Sequence, residues 1–235
     1  MRVARMLAVV MCLCWYIPQA QADLISDVAA DFSRTDNPNG VWRYGWSFTL
    51  GSPFILSTDP RVREGLDTWR GNRAPDGNPA EYHNATGSPI ILGGTALFDP
   101  GQCGLHPGPA GEYAVVRYTA PEAGEVSLAS VFSGQDLFGT TTDVHVLFNG
   151  RSLFDGLVEG FGSSSAVRFD TNLTVLSGDT IDFAVGFGRN GTFFNDSTAL
   201  AATITLTSAV PEPSSLVLLG LGVAGLCGYR RWRRA

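Results

Sequence analysis

Asp143 and His145, two positions apart in TTTDVHVLFNG, are the pair in this sequence best placed for proton chemistry. On a strand, residues i and i+2 point to the same side, so the Asp143 carboxylate could orient the His145 imidazole as a general base. The same spacing describes a polar cross-strand pair on a sheet surface, which is its commoner meaning. His83 and His106 lie far from His145 in the chain, and no HxH or HExxH joins any two of the three. That argues against an imidazole metal centre. GFGSSSA (160–166) has serines but not the GxSxG elbow of a serine hydrolase. A glycosidase needs two facing carboxylates, which chain spacing alone does not display. No catalytic motif is present, and a hydrolase or lyase is the second reading.

Binding chemistry has more material. A flat aromatic face stacks on the apolar side of a sugar ring while amides and carboxylates bond its hydroxyls. Trp69, in the polar stretch DTWRGNR, reads as an exposed platform, and Tyr82, His83 and Asn84 in EYHN add a ring and hydrogen-bonding groups. Trp42, Tyr44 and Trp46 recur at i, i+2, i+4, which places them on one strand face, and core packing is the stronger reading of that pattern. Asp136, Asp143, Asp179, Asp182 and Asp196 are hard oxygen ligands that a structural calcium could use, but no DxDxDG loop organises them.

These residues must be held by β-structure. YAVVRYT (113–119), EVSLASVF (125–132), DVHVLFN (143–149), SAVRFD (165–170), TIDFAVGF (180–187) and LAATITL (200–206) alternate apolar and polar residues between Gly, Pro, Asn and Asp clusters. Val126, Leu128 and Phe132 share a face, as do Ile181, Phe183, Val185 and Phe187, and Leu200, Ala202, Ile204 and Leu206. Asn149-Gly150 between VHVLF and RSLF predicts a two-residue hairpin turn, and Ser177-Gly178-Asp179 another turn between strands. The fold class expected is all-β, an antiparallel jelly-roll-like β-sandwich. The first half is less regular. Residues 23–32 suit a short helix or an edge strand, 41–50 a strand, and 51–111 loops hiding two or three strands, 90–98 among them.

The ends read as targeting segments. Arg2 and Arg5, an apolar stretch from Met6 to Ile17 and then Ala20-Gln21-Ala22 describe a signal peptide over 1–22, cut between Ala22 and Asp23 by signal peptidase. Residues 23–209 form the expected exported domain, with ten arginines, no lysine and twenty-one acidic residues, a formal charge of about −11. Nucleic acid is a poor partner for such a surface. Of the four cysteines only Cys103 lies in that domain, so it has no internal disulfide and no thiolate metal site. Burial as a small hydrophobe is the better reading of Cys103.

Residues 210–235 read VPEPSSLVLLGLGVAGLCGYRRWRRA. The apolar run 214–229 measures roughly 24 Å as a helix, short of a ~30 Å hydrocarbon core. The basic tail 230–235, with Arg230, Arg231, Arg233 and Arg234, marks the cytoplasmic side of a transmembrane helix. Pro211-Glu212-Pro213, the short helix and the arginines together resemble the PEP-CTERM sorting signal of bacterial envelope proteins. That resemblance implies an exosortase as processing partner, a transient membrane anchor, and localisation to the envelope or an exopolysaccharide matrix. WRYGWSF, EYHN, LHPG, TTTDVHVLFNG and SGDTIDFAVGFG on a sandwich resemble carbohydrate-binding-module-like domains of secreted bacterial proteins. This implies a polysaccharide or another envelope component as partner.

Overall fold

The computed structural model describes residues 23–208. The expected signal peptide, C-terminal helix and basic tail, with Pro211, Glu212, Pro213 and the four arginines, lie outside the described residues. Asp23–Thr207 is a compact unit. It is a jelly-roll-like antiparallel β-sandwich, and no described residue belongs to an α-helix.

The six long alternating segments become the expected strands: β10 (Tyr113–Thr119), β11 (Gly124–Gly134), β12 (Thr140–Phe148), β14 (Gly162–Val175), β15 (Thr180–Gly186) and β16 (Thr198–Ser208). β12 turns into β13 (Arg151–Gly160) through Asn149 and Gly150, whose φ values of 50° and 77° are the pair of positive angles that a tight hairpin requires. Ser177-Gly178-Asp179 joins β14 to β15, carrying the chain from one sheet to the other.

The region 51–111 holds seven strands rather than two or three: β3 (Ile55–Leu56), β4 (Asp59–Arg63), β5 (Leu66–Arg70), β6 (Ala80–His83), β7 (Ile90–Leu92), β8 (Ala96–Phe98) and β9 (Cys103–His106). Each is five residues or fewer, too short for alternation to stand out. The stretch 90–98 is a hairpin, not one strand, because Gly93 and Gly94 take φ of 59° and 77° between β7 and β8. Residues 24–27 choose the strand alternative, β1 (Leu24–Asp27), which pairs with β16. β2 (Trp42–Ser47) lies within the expected 41–50 strand.

The large sheet runs β14-β11-β16-β9-β6-β5-β4, with β1 also on β16, and the small sheet runs β13-β12-β15-β10-β2-β3. The core between them takes Trp42, Tyr44, Val116 and Phe183 from the small sheet and Leu128, Phe132, Leu200 and Ile204 from the large one. Cys103 is fully buried in this core as a free thiol. A second apolar cluster, Leu66, Tyr82 and Phe98, is closed by the β7–β8 hairpin. β4 blunts its sheet edge with Pro60, Arg61 and Arg63.

Glu81 breaks the apolar pattern. It is fully buried on β6, its Oε1 has no hydrogen-bond partner, and desolvation pushes its carboxyl well above the usual range. A folded-state pKa raised above the unfolded value of about 4.3 gives stability that is complete below that value and is lost as pH rises through the folded one. Glu81→Gln, isosteric with the protonated acid, should therefore melt higher than wild type at pH 8, with the gap closing towards pH 4. The expected rise is about 2–4 °C per kcal/mol recovered. Thermal melts across that range check it, and a pH-independent gap would mean that Glu81 is not the titrating group.

Candidate functional site

The outer face of the small sheet carries a closed polar cluster. Register places His145 on β12 opposite Asp155 on β13, and Asp143 two residues earlier on the same face. His145 donates from Nε2 to Asp143 Oδ2 at 2.8 Å and from Nδ1 to Asp155 Oδ1. Asp143 also accepts from the Tyr113 hydroxyl at 2.7 Å and from the Gly188 N–H at 2.7 Å. Gly186 makes this meeting sterically feasible, since a Cβ there would strike Asp143 Oδ1 and the Tyr113 ring. Burial opposes the charge on both partners, but the hydrogen bonds win. They hold the Asp143 carboxyl down at about 2 and raise the imidazole of His145. Both ring nitrogens lie against carboxylates, an arrangement that favours the doubly protonated ring, and in that form His145 has no lone pair free to take a proton or bind a metal.

A second assembly lies where the β5–β6, β11–β12 and β15–β16 loops meet the β7–β8 turn. It is a cavity of about 250 Å³ whose polar lining includes Arg63, Asp76, His106 and Asp136, with Phe193 and Phe194 beside them. Tyr82 forms its floor, held by Arg63 Nη1 donating to its hydroxyl at 3.1 Å and by its own O–H donating to Asn78 Oδ1 at 2.9 Å. Arg63 also donates to the Asp76 carbonyl at 3.0 Å. Asp136 is 1% exposed and accepts the Ser197 N–H at 2.7 Å. His106 pairs Nδ1 with the Pro107 carbonyl at 3.0 Å, and burial keeps its imidazole below the usual range. Phe193 meets the His106 ring edge-on and packs against Phe194, which is 69% exposed.

The residues singled out from the sequence separate. Trp69 is no surface platform. It is 4% exposed because its strand face looks into the core, and its Nε1 donates to the Ser33 carbonyl at 2.7 Å. Tyr82 is 1% exposed with Phe98 packed edge-on to its ring, so it offers no face for stacking. His83 stacks on Phe32, with its pKa lowered by burial. Asn84 is fully buried, its side chain pinning the carbonyls of Ser88 and Phe98. Asp143 and His145 do meet, but His83 is on the other sheet and does not join them. The five aspartates do not share one site, although burial, with Asp136 and Asp143 nearby, raises the carboxyl of Asp196. Asp182 pairs with Arg117, Asp179 is bonded by Asn149 and Leu176, and among the described residues no three acidic, His or Cys side chains gather to hold a metal ion.

Arg63, Asp76 and the Phe193–Phe194 pair were not foreseen. The usable signal was TFFND, two adjacent aromatics in a Gly/Asn loop where no strand needs them. Asp155 and Tyr113 were hidden by chain distance, ten and thirty or more residues from their partners.

Residues 209–234 match the PEP-CTERM protein-sorting motif. The chain ends in this sorting motif. No curated protein matches the chain. Solved structures similar to it include a family 35 carbohydrate binding module from Clostridium thermocellum, at 9% identity, TM-score 0.32, covering 65% of this chain and 100% of that one. CBM51 from Clostridium perfringens GH95, in complex with methyl-galactose, is 14% identical with TM-score 0.33, covering 66% and 97%. CBM35 from Cellvibrio japonicus Abf62 is 9% identical with TM-score 0.30, covering 80% and 95%. The sandwich itself is established by strand order and register, independently of these likenesses. Among the described residues, no helix is long and apolar enough to cross a membrane.

Proposed function

We propose that this protein is exported to the cell envelope, processed there by an exosortase at its sorting motif, and binds extracellular polysaccharide without catalysis. The observation that carries the binding half is the loop-end cavity, where hydrogen-bonding side chains sit beside the exposed Phe194 ring and the half-buried Phe193 it packs on. Sugar recognition needs both together: polar groups fix the hydroxyls and an aromatic face takes the C–H side of the ring. A hydrolase or lyase built on Asp143 and His145 is the weaker reading, because both imidazole nitrogens are already committed to carboxylates.

Affinity electrophoresis of the purified protein in gels containing the native host's extracellular polysaccharide tests the proposal. Retarded migration is expected. Phe194→Ala should weaken it about five- to tenfold, in line with roughly 1 kcal/mol for an aromatic contact. Unretarded migration of a folded protein in every polysaccharide would overturn the binding half. Chain shortening of the polysaccharide on incubation, lost in His145→Gln, would establish the enzyme reading instead.

A further inference from the structure

We propose that the loop-end cavity takes a single non-acidic sugar ring, held by its hydroxyl donors, and rejects uronic acids. This rests on the glycan reading above and names the substrate class of the same site.

Three observations lead there. The first is size: at about 250 Å³ the cavity falls below the roughly 300–1,000 Å³ of sites for drug-sized ligands, which suits one ring rather than a run of several. The second is the direction of its free hydrogen-bonding capacity. His106 donates from Nδ1 to the Pro107 carbonyl, so its neutral ring presents Nε2 as an acceptor. Asp136 uses one oxygen on the Ser197 N–H and keeps acceptor capacity on the other. Asp76 accepts from the Asn78 side-chain amide at 2.9 Å and also has lone pairs to spare. Among the donors, the Tyr82 hydroxyl hydrogen goes to Asn78 and Arg63 Nη1 is divided between the Asp76 carbonyl and Tyr82, which leaves the other guanidinium N–H groups of Arg63 for a ring or hydroxyl oxygen. The acceptors of His106, Asp136 and Asp76 suit a ligand rich in hydroxyl donors, and the choice between a neutral ring and a uronate falls to charge.

The third observation is charge. Asp76 and Asp136 outnumber the one guanidinium, Arg63, in a neighbourhood where His106 is neutral. The surrounding domain, residues 23–209, carries a formal charge of about −11. A uronate would meet repulsion both on approach and at contact. On the apolar side, Phe193, edge-on to His106, and Leu92 line the cavity and supply the surface that the C–H face of a ring would meet.

The experiment is calorimetric titration of the purified protein with three oligosaccharides of equal length: neutral hexose, hexosamine with free amines, and hexuronate. Neutral and amino arms should bind, with the uronate at least tenfold weaker. Raising salt should narrow that gap by strengthening the uronate arm while leaving the neutral arm unmoved. Asp136→Asn keeps an oxygen for the Ser197 N–H but removes the charge, so it should lower neutral-sugar affinity and shrink the discrimination against uronate. Phe194→Ala, at an exposed position, should weaken all bound arms alike without changing their ratio. Uronate binding as tight as neutral binding would overturn this inference while leaving the glycan reading intact. Silence in all three arms, together with no retardation in the host polysaccharide, would overturn both.

Discussion

His145→Leu is expected to lower the melting temperature by about 6–12 °C, with the largest loss between about pH 4 and pH 6.5. The magnitude follows from breaking a mostly buried charge pair, which costs about 3 kcal/mol at the low end, at about 2–4 °C per kcal/mol for a chain of this size. The pH window follows from the two shifts taken with their signs. His145 has a raised pKa, so its contribution is complete below the unfolded value of about 6.5 and is lost as pH rises through the folded one. Asp143 is depressed to about 2, so its contribution is complete above the unfolded value of about 4 and is lost as pH falls towards about 2. The two overlap in the stated window. Melts of wild type and variant from pH 2 to pH 9 check the result, and a loss of equal size at every pH would mean that His145 acts by packing alone. Gly186→Ala should reproduce much of the effect without replacing a charged residue, because its Cβ would push Asp143 and the Tyr113 ring apart.

The second large effect is expected at the sorting motif. In the native host, wild-type protein should end near residues 211–213, without the apolar run and the arginines. Glu212→Ala should retain Trp232 and the basic tail while still being exported. The reason is local: proline fixes its own φ and disfavours helical backbone in the residue before it, so the Pro211-Glu212-Pro213 sequence favours a Glu212 carboxylate that a protease can read. Replacing Arg230, Arg231, Arg233 and Arg234 with Ser should also impair retention, since a run of roughly 24 Å depends on its charged flank to stay in a bilayer. Mass spectrometry of the C-terminal peptide reads both experiments. Normal processing of Glu212→Ala would remove Glu212 from the recognition step.

Signals that act within a few residues were legible without coordinates. The PEP-CTERM motif declares itself through a Pro-Glu-Pro tripeptide, an apolar run and a charge cluster, close together in the chain. The six long strands did so through alternation, as in Val126, Leu128 and Phe132, because one buried face imposes a period of two on its own strand. Asn149-Gly150 marked its turn because few residue pairs tolerate two positive φ angles. Tertiary structure decided what depends on which of two faces meets which neighbour. Trp69 and Tyr82 are both aromatic and both on short strands, yet one faces the main core and the other the β7–β8 hairpin, and neither is free to stack. His145 found Asp155 through hairpin register, and Asp143 found Tyr113, two strands away, across Gly186 on the strand between them, which no spacing along the chain encodes. The cavity likewise exists only because loops far apart in the sequence converge at one place, bringing Arg63, His106, Asp136 and Phe194 together. Side-chain chemistry is local, but a site is made by proximity, and proximity across strands is set by the packing of the whole sandwich.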